Sequence, residues 1–271
     1  MRVKKPSIQA RNLSDFVNAL QSSGRYTFRR EEALSAMDVS EVALQSAARR
    51  LAAKGRICAP RRGFYVIVPI EYREAGAPPP SWFVDDLMKF HGHPYYVGLL
   101  SAAALHGAAH QQPQEFQVIT DTVLRPITVG RTRIRFFLKL HFSETPTVEV
   151  KTGTGAMRVS TPEATALDLV RYVGHAGQLG NVASVLSELS ERIDPVRLVE
   201  AARAEVELSI VQRLGFLLNR FASEAVVAPL AEWLAQKRLR PVLLRPGRKA
   251  KVADKDSRWQ VLVNEHIEID E

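Results

Sequence analysis

The chain has 271 residues, of which 46% are hydrophobic and 24% charged, so it carries enough apolar material for a packed core. Its length predicts one large domain or two unequal ones. The single cysteine, Cys58, excludes an intramolecular disulfide framework and a zinc site built from several cysteines. Because the chain also lacks a long apolar stretch and a secretory signal, we expect a soluble, cytoplasmic protein without a membrane partner.

The formal net charge of +8 is concentrated near the N-terminus. Residues 1–72 contain 13 Lys and Arg residues and 6 Asp and Glu residues, a net charge of +7, whereas the rest of the chain contains 24 and 23. A small basic module beside a neutral body is typical of a duplex-binding head, because phosphate contacts dominate nucleic-acid affinity. A basic tail that only aids solubility would give the same distribution.

The N-terminal segment has the pattern of three helices followed by a β-hairpin. Helical spacing predicts a first helix over residues 12–22, a second over 29–37 and a third over 41–54, with Ser40 as N-cap and Gly55 after the last turn. Residues 56–68 read as two β segments around the basic turn Arg61-Arg62-Gly63. This order predicts a winged helix-turn-helix, whose third helix enters the major groove of DNA.

On the third helix, apolar residues at a spacing of three to four should face inward, namely Leu44, Ala47, Ala48 and Leu51. The remaining face carries Gln45, Ser46, Arg49 and Arg50, whose side chains pair with adenine, guanine or phosphate. The wing tip, Arg61 and Arg62, and the start of the second helix, Arg29 and Arg30, add candidate phosphate contacts. We predict that these eight residues bind DNA.

A proline-rich linker over residues 74–81 is predicted to separate an N-terminal domain, 1–73, from a C-terminal domain, 82–271. Helices are expected in this larger domain at about 82–90, 98–106, 161–173, 178–190, 195–204, 206–221 and 226–236. Strands are expected at 116–119, 127–129, 134–140, 148–151, 156–159, 241–244 and 259–263. Runs of strands followed by runs of helices favour an α+β class, with a mixed α/β C-terminal domain.

Two histidine pairs, His91 with His93 and His106 with His110, have the spacing of metal ligands but lack a third ligand. We therefore expect no metal site, and we expect His106 to be a packed or hydrogen-bonded residue that fixes a helix end. Cys58 has no adjacent histidine and is expected to be a packing residue.

A strand with the pattern Glu149-x-Lys151, preceded by Asp121, resembles a sparse Mg²⁺-dependent nuclease site. Exposed strand edges carry the same string, so we predict no catalytic residues, no cofactor and no enzyme activity. One further basic cluster near the C-terminus could contact a toxin or an RNA, or could be a solvated surface: Lys237, Arg238, Arg240, Arg245, Arg248, Lys249 and Lys251.

Several segments resemble the AbiEi antitoxin family. They are residues 26–69, the string Tyr-Val-Gly-Leu-Leu-Ser-Ala-Ala-Ala-Leu-His-Gly at 96–107, the strand at 116–120, the helix at 161–170 and residues 257–264. The resemblance implies an antitoxin of a bicistronic phage-defence (abortive infection) toxin–antitoxin pair. It also implies an N-terminal domain that represses its own operon at inverted repeats, and a C-terminal domain that neutralises a nucleotidyltransferase-type toxin.

Two other functions remain open from the residues alone. The larger domain of a winged-helix regulator could sense an effector, or it could be the nuclease described above. A neighbouring reading frame that encodes a nucleotidyltransferase would favour the antitoxin.

Overall fold

The computed structural model of the chain describes residues 9–108, 113–248 and 254–267. In these ranges the helices α1–α10 span Leu13–Ser22, Arg30–Met37, Glu41–Ala53, Val84–His91, Leu99–Leu105, Pro162–Arg171, Gln178–Leu189, Pro195–Ala204, Leu208–Leu218 and Glu224–Ala235. The strands β1–β12 span Thr27–Arg29, Ile57–Arg61, Phe64–Ile67, Tyr95–Val97, Phe116–Thr120, Ile127–Val129, Thr132–Leu138, Thr147–Thr152, Gly155–Ser160, Val242–Leu243, Asp254–Asp256 and Val261–Val263. The predicted mixed α/β fold is confirmed, and none of these helices has the length and apolar character needed to cross a membrane.

The chain divides into two compact units. Unit 1 comprises Met1–Pro94, Leu124–Phe136 and Val150–Met157, and unit 2 comprises Tyr95–Val123, Phe137–Glu149 and Arg158–Glu271. The predicted linker at 74–81 lies inside unit 1, where Ala77 is buried and Pro80–Trp82 form a 3-10 helix. Each unit is assembled from segments that are distant in sequence, and the predicted domain boundaries stay a prediction.

In unit 1, helices α1–α3 form an apolar core together with a three-stranded sheet of order β1-β3-β2. Phe28 of β1 meets the ring of Phe16 edge-on, with 5.5 Å between ring centroids. Leu44, Ala48 and Leu51 of α3 are buried in this core and Ala47 packs against it, as their spacing predicts. Three helices and a β-hairpin in this order are consistent with a winged helix.

Local hydrogen bonds set the ends of the helices. The side chain of Ser40 accepts a hydrogen bond from the backbone N–H of Ala43 at 3.2 Å, which confirms the predicted N-cap of α3. Strand β1 is a correction to the sequence prediction, because Arg29 pairs with Phe64 of β3 and α2 begins one residue later, at Arg30.

Unit 2 places β4 between β5, to which it is antiparallel, and β9, to which it is parallel. Apolar residues of helices α5–α10 and of the C-terminal strands form one core around these strands. Helix α9 packs closely against Trp259: a Cβ atom added at Gly215 would lie 2.0 Å from the indole ring. A glycine at this position therefore lets the helix approach the tryptophan.

A buried ion pair joins the end of β7 to α6 in unit 2. Lys139 Nζ lies 2.7 Å from Asp168 Oδ1, and the two side chains are 7% and 0% exposed. The Tyr96 hydroxyl donates a hydrogen bond to Asp168 Oδ2 at 2.9 Å. Burial, and then the charge of Asp168, raise the pKa of Tyr96 well above its usual value, so the hydroxyl remains a donor.

Replacing Asp168 with Ala should destabilise the protein by about 3–5 kcal/mol, because the ammonium of Lys139 would stay buried without a counter-charge. Urea unfolding, followed by circular dichroism, measures this change. The matched control is Glu224→Ala, which removes the exposed partner of Arg258 at 2.5 Å. We expect little measurable change in the control, since exposed ion pairs contribute little. Equal effects of the two substitutions would contradict the structural importance of the buried pair.

Candidate nucleic-acid interface

A groove of about 430 Å³ lies between helix α3 and the hairpin β2–β3 of unit 1. Gln45 and Arg49 line it from the helix, and both are exposed. Arg62 and Tyr65 line it from the hairpin, and Arg30 completes its polar lining. Three alanines and Ile57 also line the groove, which therefore combines amide and guanidinium donors with apolar side chains.

The outermost face of α3 continues this lining toward solvent. At 100° per residue, Val42, Ser46 and Arg49 lie opposite the buried stripe of the helix. Val42 is 74% exposed, although the sequence analysis did not select it. Arg50 is exposed on the flank and does not line the groove. Of the four residues predicted on this helix, Gln45 and Arg49 therefore share the groove with the wing, whereas Ser46 and Arg50 lie outside it.

The two arginines at the start of α2 have different surroundings. Arg30 lies 3.3 Å from a carboxylate oxygen of Glu31 and 3.7 Å from one of Glu41, so nearby carboxylates partly balance its charge. The guanidinium of Arg29 lies 5.6 Å from the ring centroid of Phe90, in the geometry of a cation–π contact. Only Arg30 is part of the groove.

Arg61 and Arg62 are neighbours at the turn of the hairpin β2–β3, but their side chains make different contacts. Arg62 lines the groove beside α3. Arg61 instead donates a hydrogen bond from Nη2 to the backbone oxygen of Arg125 at 2.5 Å. Burial lowers the pKa of Arg61, and the positive charge of Arg125 lowers it further. The structure therefore separates two side chains that the sequence analysis had grouped in one role.

Cys58 contributes to the groove through its packing. It is half-buried, and burial raises the pKa of its thiol to about 12. The thiol is therefore protonated at neutral pH, which agrees with the packing role expected for it.

The histidines do not assemble a metal site in the part of the chain that the structure describes, where no group of three or more potential ligands is found. His106 caps α5, and its Nε2 lies 2.7 Å from the backbone oxygen of Ser160, which confirms its predicted role at a helix end. His91 is half-buried; burial lowers its pKa, followed by the charges of Arg61 and His93. His110, which the sequence analysis considered together with His106, lies outside the described residues.

The nuclease-like residues are not brought together. Glu149 and Lys151 are both exposed on β8, and Asp121 follows the end of β5. In the sheet, β4 and β9 lie between β5 and β8. At roughly 4.8 Å per strand, about 14 Å separates the two strands, so Asp121 and Glu149 cannot share one Mg²⁺ ion. The nuclease alternative therefore lacks its predicted site.

The basic cluster near the C-terminus is only partly available. Lys237, Arg238 and Arg240 are exposed after α10, and the ammonium of Lys237 lies 5.2 Å from the ring centroid of Trp233. The guanidinium groups of Arg245 and Arg248 lie 3.6 and 2.9 Å from carboxylate oxygens of Glu265, which neutralises part of the cluster. The remaining two members, Lys249 and Lys251, lie outside the described residues.

The sequence analysis missed two features, the arginine-rich segment 124–136 and the buried pair of Lys139 with Asp168. Arg125 was overlooked because the charge count stopped at residue 72, although residues 124–136 contain four arginines and no acidic residue. The buried pair was also missed, although Asp168 inside the apolar run of α6 and Lys139 after an apolar strand are signals for a buried polar contact.

Residues 96–220 match the family model of the AbiEi antitoxin C-terminal domain. Among solved structures, the chain is similar to the crystal structure of the RV2827C protein from Mycobacterium tuberculosis, with a TM-score of 0.63 and 15% sequence identity over 96% of this chain and 95% of that chain. At this identity the likeness shows a shared fold. No curated protein matches the chain in sequence.

The matched range contains three of the segments on which the family resemblance rests, at 96–107, 116–120 and 161–170, whereas those at 26–69 and 257–264 lie outside it. The match supports the suspected family, an AbiEi antitoxin, and it does so through residues 96–220, which are similar to the C-terminal domain of that family.

Proposed function

We propose that this antitoxin also binds duplex DNA through the groove between α3 and the wing, and that it represses its own operon at inverted repeats. The observation that carries the proposal is the convergence of Gln45, Arg49 and Arg62 on one open groove. A recognition helix reads bases with amide and guanidinium groups, while a wing grips the adjacent backbone.

The distribution of charge over the two units supports this assignment. Unit 1 contains 20 Lys and Arg residues and 9 Asp and Glu residues, a net charge of +11. Unit 2 contains 17 and 20, a net charge of −3. Since a duplex attracts proteins through phosphate contacts, the unit with the groove is the one suited to bind it.

The partner of the antitoxin domain is proposed to be a nucleotidyltransferase-type toxin encoded beside it, neutralised directly or through its substrate. The exposed residues Lys237, Arg238 and Arg240 are the candidate contact of unit 2, because they form a cationic surface on a unit that is otherwise slightly acidic. Such a surface would bind an acidic protein face or an RNA.

An effector-sensing role remains the second candidate for unit 2. An open cavity of about 330 Å³ lies between α8 and α10, where Glu200, Arg203 and Trp233 are among its lining residues. Its volume falls within the range of about 300–1,000 Å³ that is usual for small-molecule sites.

Arg49→Ala and Gln45→Ala should each lower the preference for the operator over a shuffled duplex by about 1–3 kcal/mol, because each removes a base contact. Fluorescence anisotropy with the duplex upstream of its own reading frame, titrated at several salt concentrations, measures both affinities. Arg197→Ala, an exposed arginine on α8 of unit 2, is the matched control and should leave both unchanged. If the wild-type chain does not distinguish the two duplexes, operator binding is wrong.

Antitoxicity and DNA binding should separate in the full-length chain. Truncation at residue 72 or 82 would cut through unit 1, so point substitutions are the better test. With toxin and antitoxin under independent inducible promoters, Arg49→Ala should protect growth as well as wild type. Combined substitution of Lys237, Arg238 and Arg240 with Ala should weaken protection and leave operator affinity intact.

Growth and operator affinity, measured for the same variants, decide the outcome. Loss of protection with Arg49→Ala would show that the DNA-binding groove itself takes part in neutralisation. Full protection by the triple variant would remove the cationic surface from the proposed toxin contact.

A further inference from the structure

A second arginine-rich element belongs to the same compact unit as the winged helix. Residues 124–136 form the hairpin β6–β7, which carries Arg125, Arg131, Arg133 and Arg135 and no acidic residue. This hairpin provides four of the 20 basic residues of unit 1, although it follows the head by about fifty residues of chain. None of its arginines lines the groove between α3 and the hairpin β2–β3.

The turn of this hairpin is fixed against the segment that follows the wing. The backbone N–H of Arg131 donates to the oxygen of Ala75 at 2.8 Å. Gly130 has a φ of +57°, and a Cβ added there would lie 2.1 Å from the same oxygen, so only glycine fits. The side chain of Arg131 lies 3.2 Å from Glu74. The turn is therefore held at a defined place by backbone contacts.

The opposite end of the hairpin lies beside the wing. Strand β6 packs next to β2, and Arg61 of the wing donates to the backbone oxygen of Arg125 at 2.5 Å. Because Arg125 contributes only its backbone to this bond, its guanidinium is left for another partner. The residue is exposed at the surface of unit 1.

Arg61 and Arg125 form a pair of like charges. Within the described ranges, no ion pair between a carboxylate and either guanidinium is found, and the charge of Arg125 lowers the pKa of Arg61. Two such cations side by side repel each other unless an anion lies between or across them. The hydrogen bond from Arg61 to the backbone oxygen of Arg125 holds the two residues close together, so the repulsion between their charges persists in the folded protein. Such a pair of cations is expected at an anion-binding surface.

We propose that Arg125 contacts a backbone phosphate of the duplex beside the wing, so that the end of the hairpin next to Arg61, and not the turn that carries Arg131, is part of the DNA-binding surface. This inference rests on the proposed function, since it places a further phosphate contact next to the same wing. A duplex is the partner that fits, because it presents phosphates at regular spacing to cations on two adjacent hairpins. A phosphate contact positions the protein and carries no base preference, so operator and shuffled duplexes should depend on it equally.

The test compares three substitutions in the full-length chain on the duplex upstream of its own reading frame and on a shuffled duplex of equal length. Arg125→Gln should weaken binding to both duplexes about eightfold at 0.1 M salt, the contribution of one released counterion, and reduce the slope of log K against log salt by about 0.9. Arg125→Lys, which keeps the charge, should restore most of the affinity and the slope. Arg131→Gln is the matched control from the same hairpin. Since Glu74 already pairs with Arg131, this substitution should leave the affinity and the salt slope unchanged.

Each result has a defined meaning. If wild type binds and Arg49→Ala lowers its operator preference, but Arg125→Gln leaves the salt slope unchanged, the hairpin has no part in binding and only this inference fails. If wild type does not bind the upstream duplex, the proposed function fails with it. A loss confined to the operator would assign base reading to Arg125 and overturn the phosphate contact. A melting temperature equal to that of wild type confirms that Arg125→Gln acts on binding and not on folding.

Discussion

The pairing of Lys139 with Asp168 is the contact on which the antitoxin domain depends, because an ammonium and a carboxylate with so little exposure are stable only together. The pair lies where the chain returns to unit 2, at Phe137, after forming the arginine-rich hairpin of unit 1. It also fixes the register of that return. A shift by one residue would place exposed Leu138 or Leu140 where the ammonium meets Asp168, and would leave the carboxylate buried alone.

Charge follows the folded units more closely than it follows the sequence. A count that stops at residue 72 gives +7 and +1 for the two parts of the chain, whereas the compact units carry +11 and −3. The difference arises because the hairpin 124–136 and the segment 150–157 fold into unit 1. The protein thus combines a strongly cationic unit, suited to a polyanion, with a slightly acidic one that carries most of the matched antitoxin domain.

Local signals predicted most of the elements, and long-range pairing explains the rest. Ser40 and Gly55 mark the ends of α3 in the sequence, so the helix and its exposed Gln45 and Arg49 were predictable. Strands β1 and β4 have three residues each, and they pair with strands that occur later in the chain, β3 and β5. No local sequence pattern therefore predicts them. The role of Arg61 beside Arg125 depends on the same kind of distant pairing.

The discontinuous assembly of unit 1 sets an order of events during synthesis. Its last segment, at 150–157, places Thr154 on Trp82, to whose backbone oxygen the threonine hydroxyl donates at 2.7 Å. A nascent chain of 94 residues therefore holds the helices of the head without the two hairpins that complete their unit. Since domains fold as units while the ribosome proceeds, unit 1 is finished only after more than half of the protein has been translated. Under the proposed function and the inferred phosphate contact, a message broken early would yield a head that retains its groove and lacks Arg125, so its affinity for any duplex would be lower than that of the full-length chain.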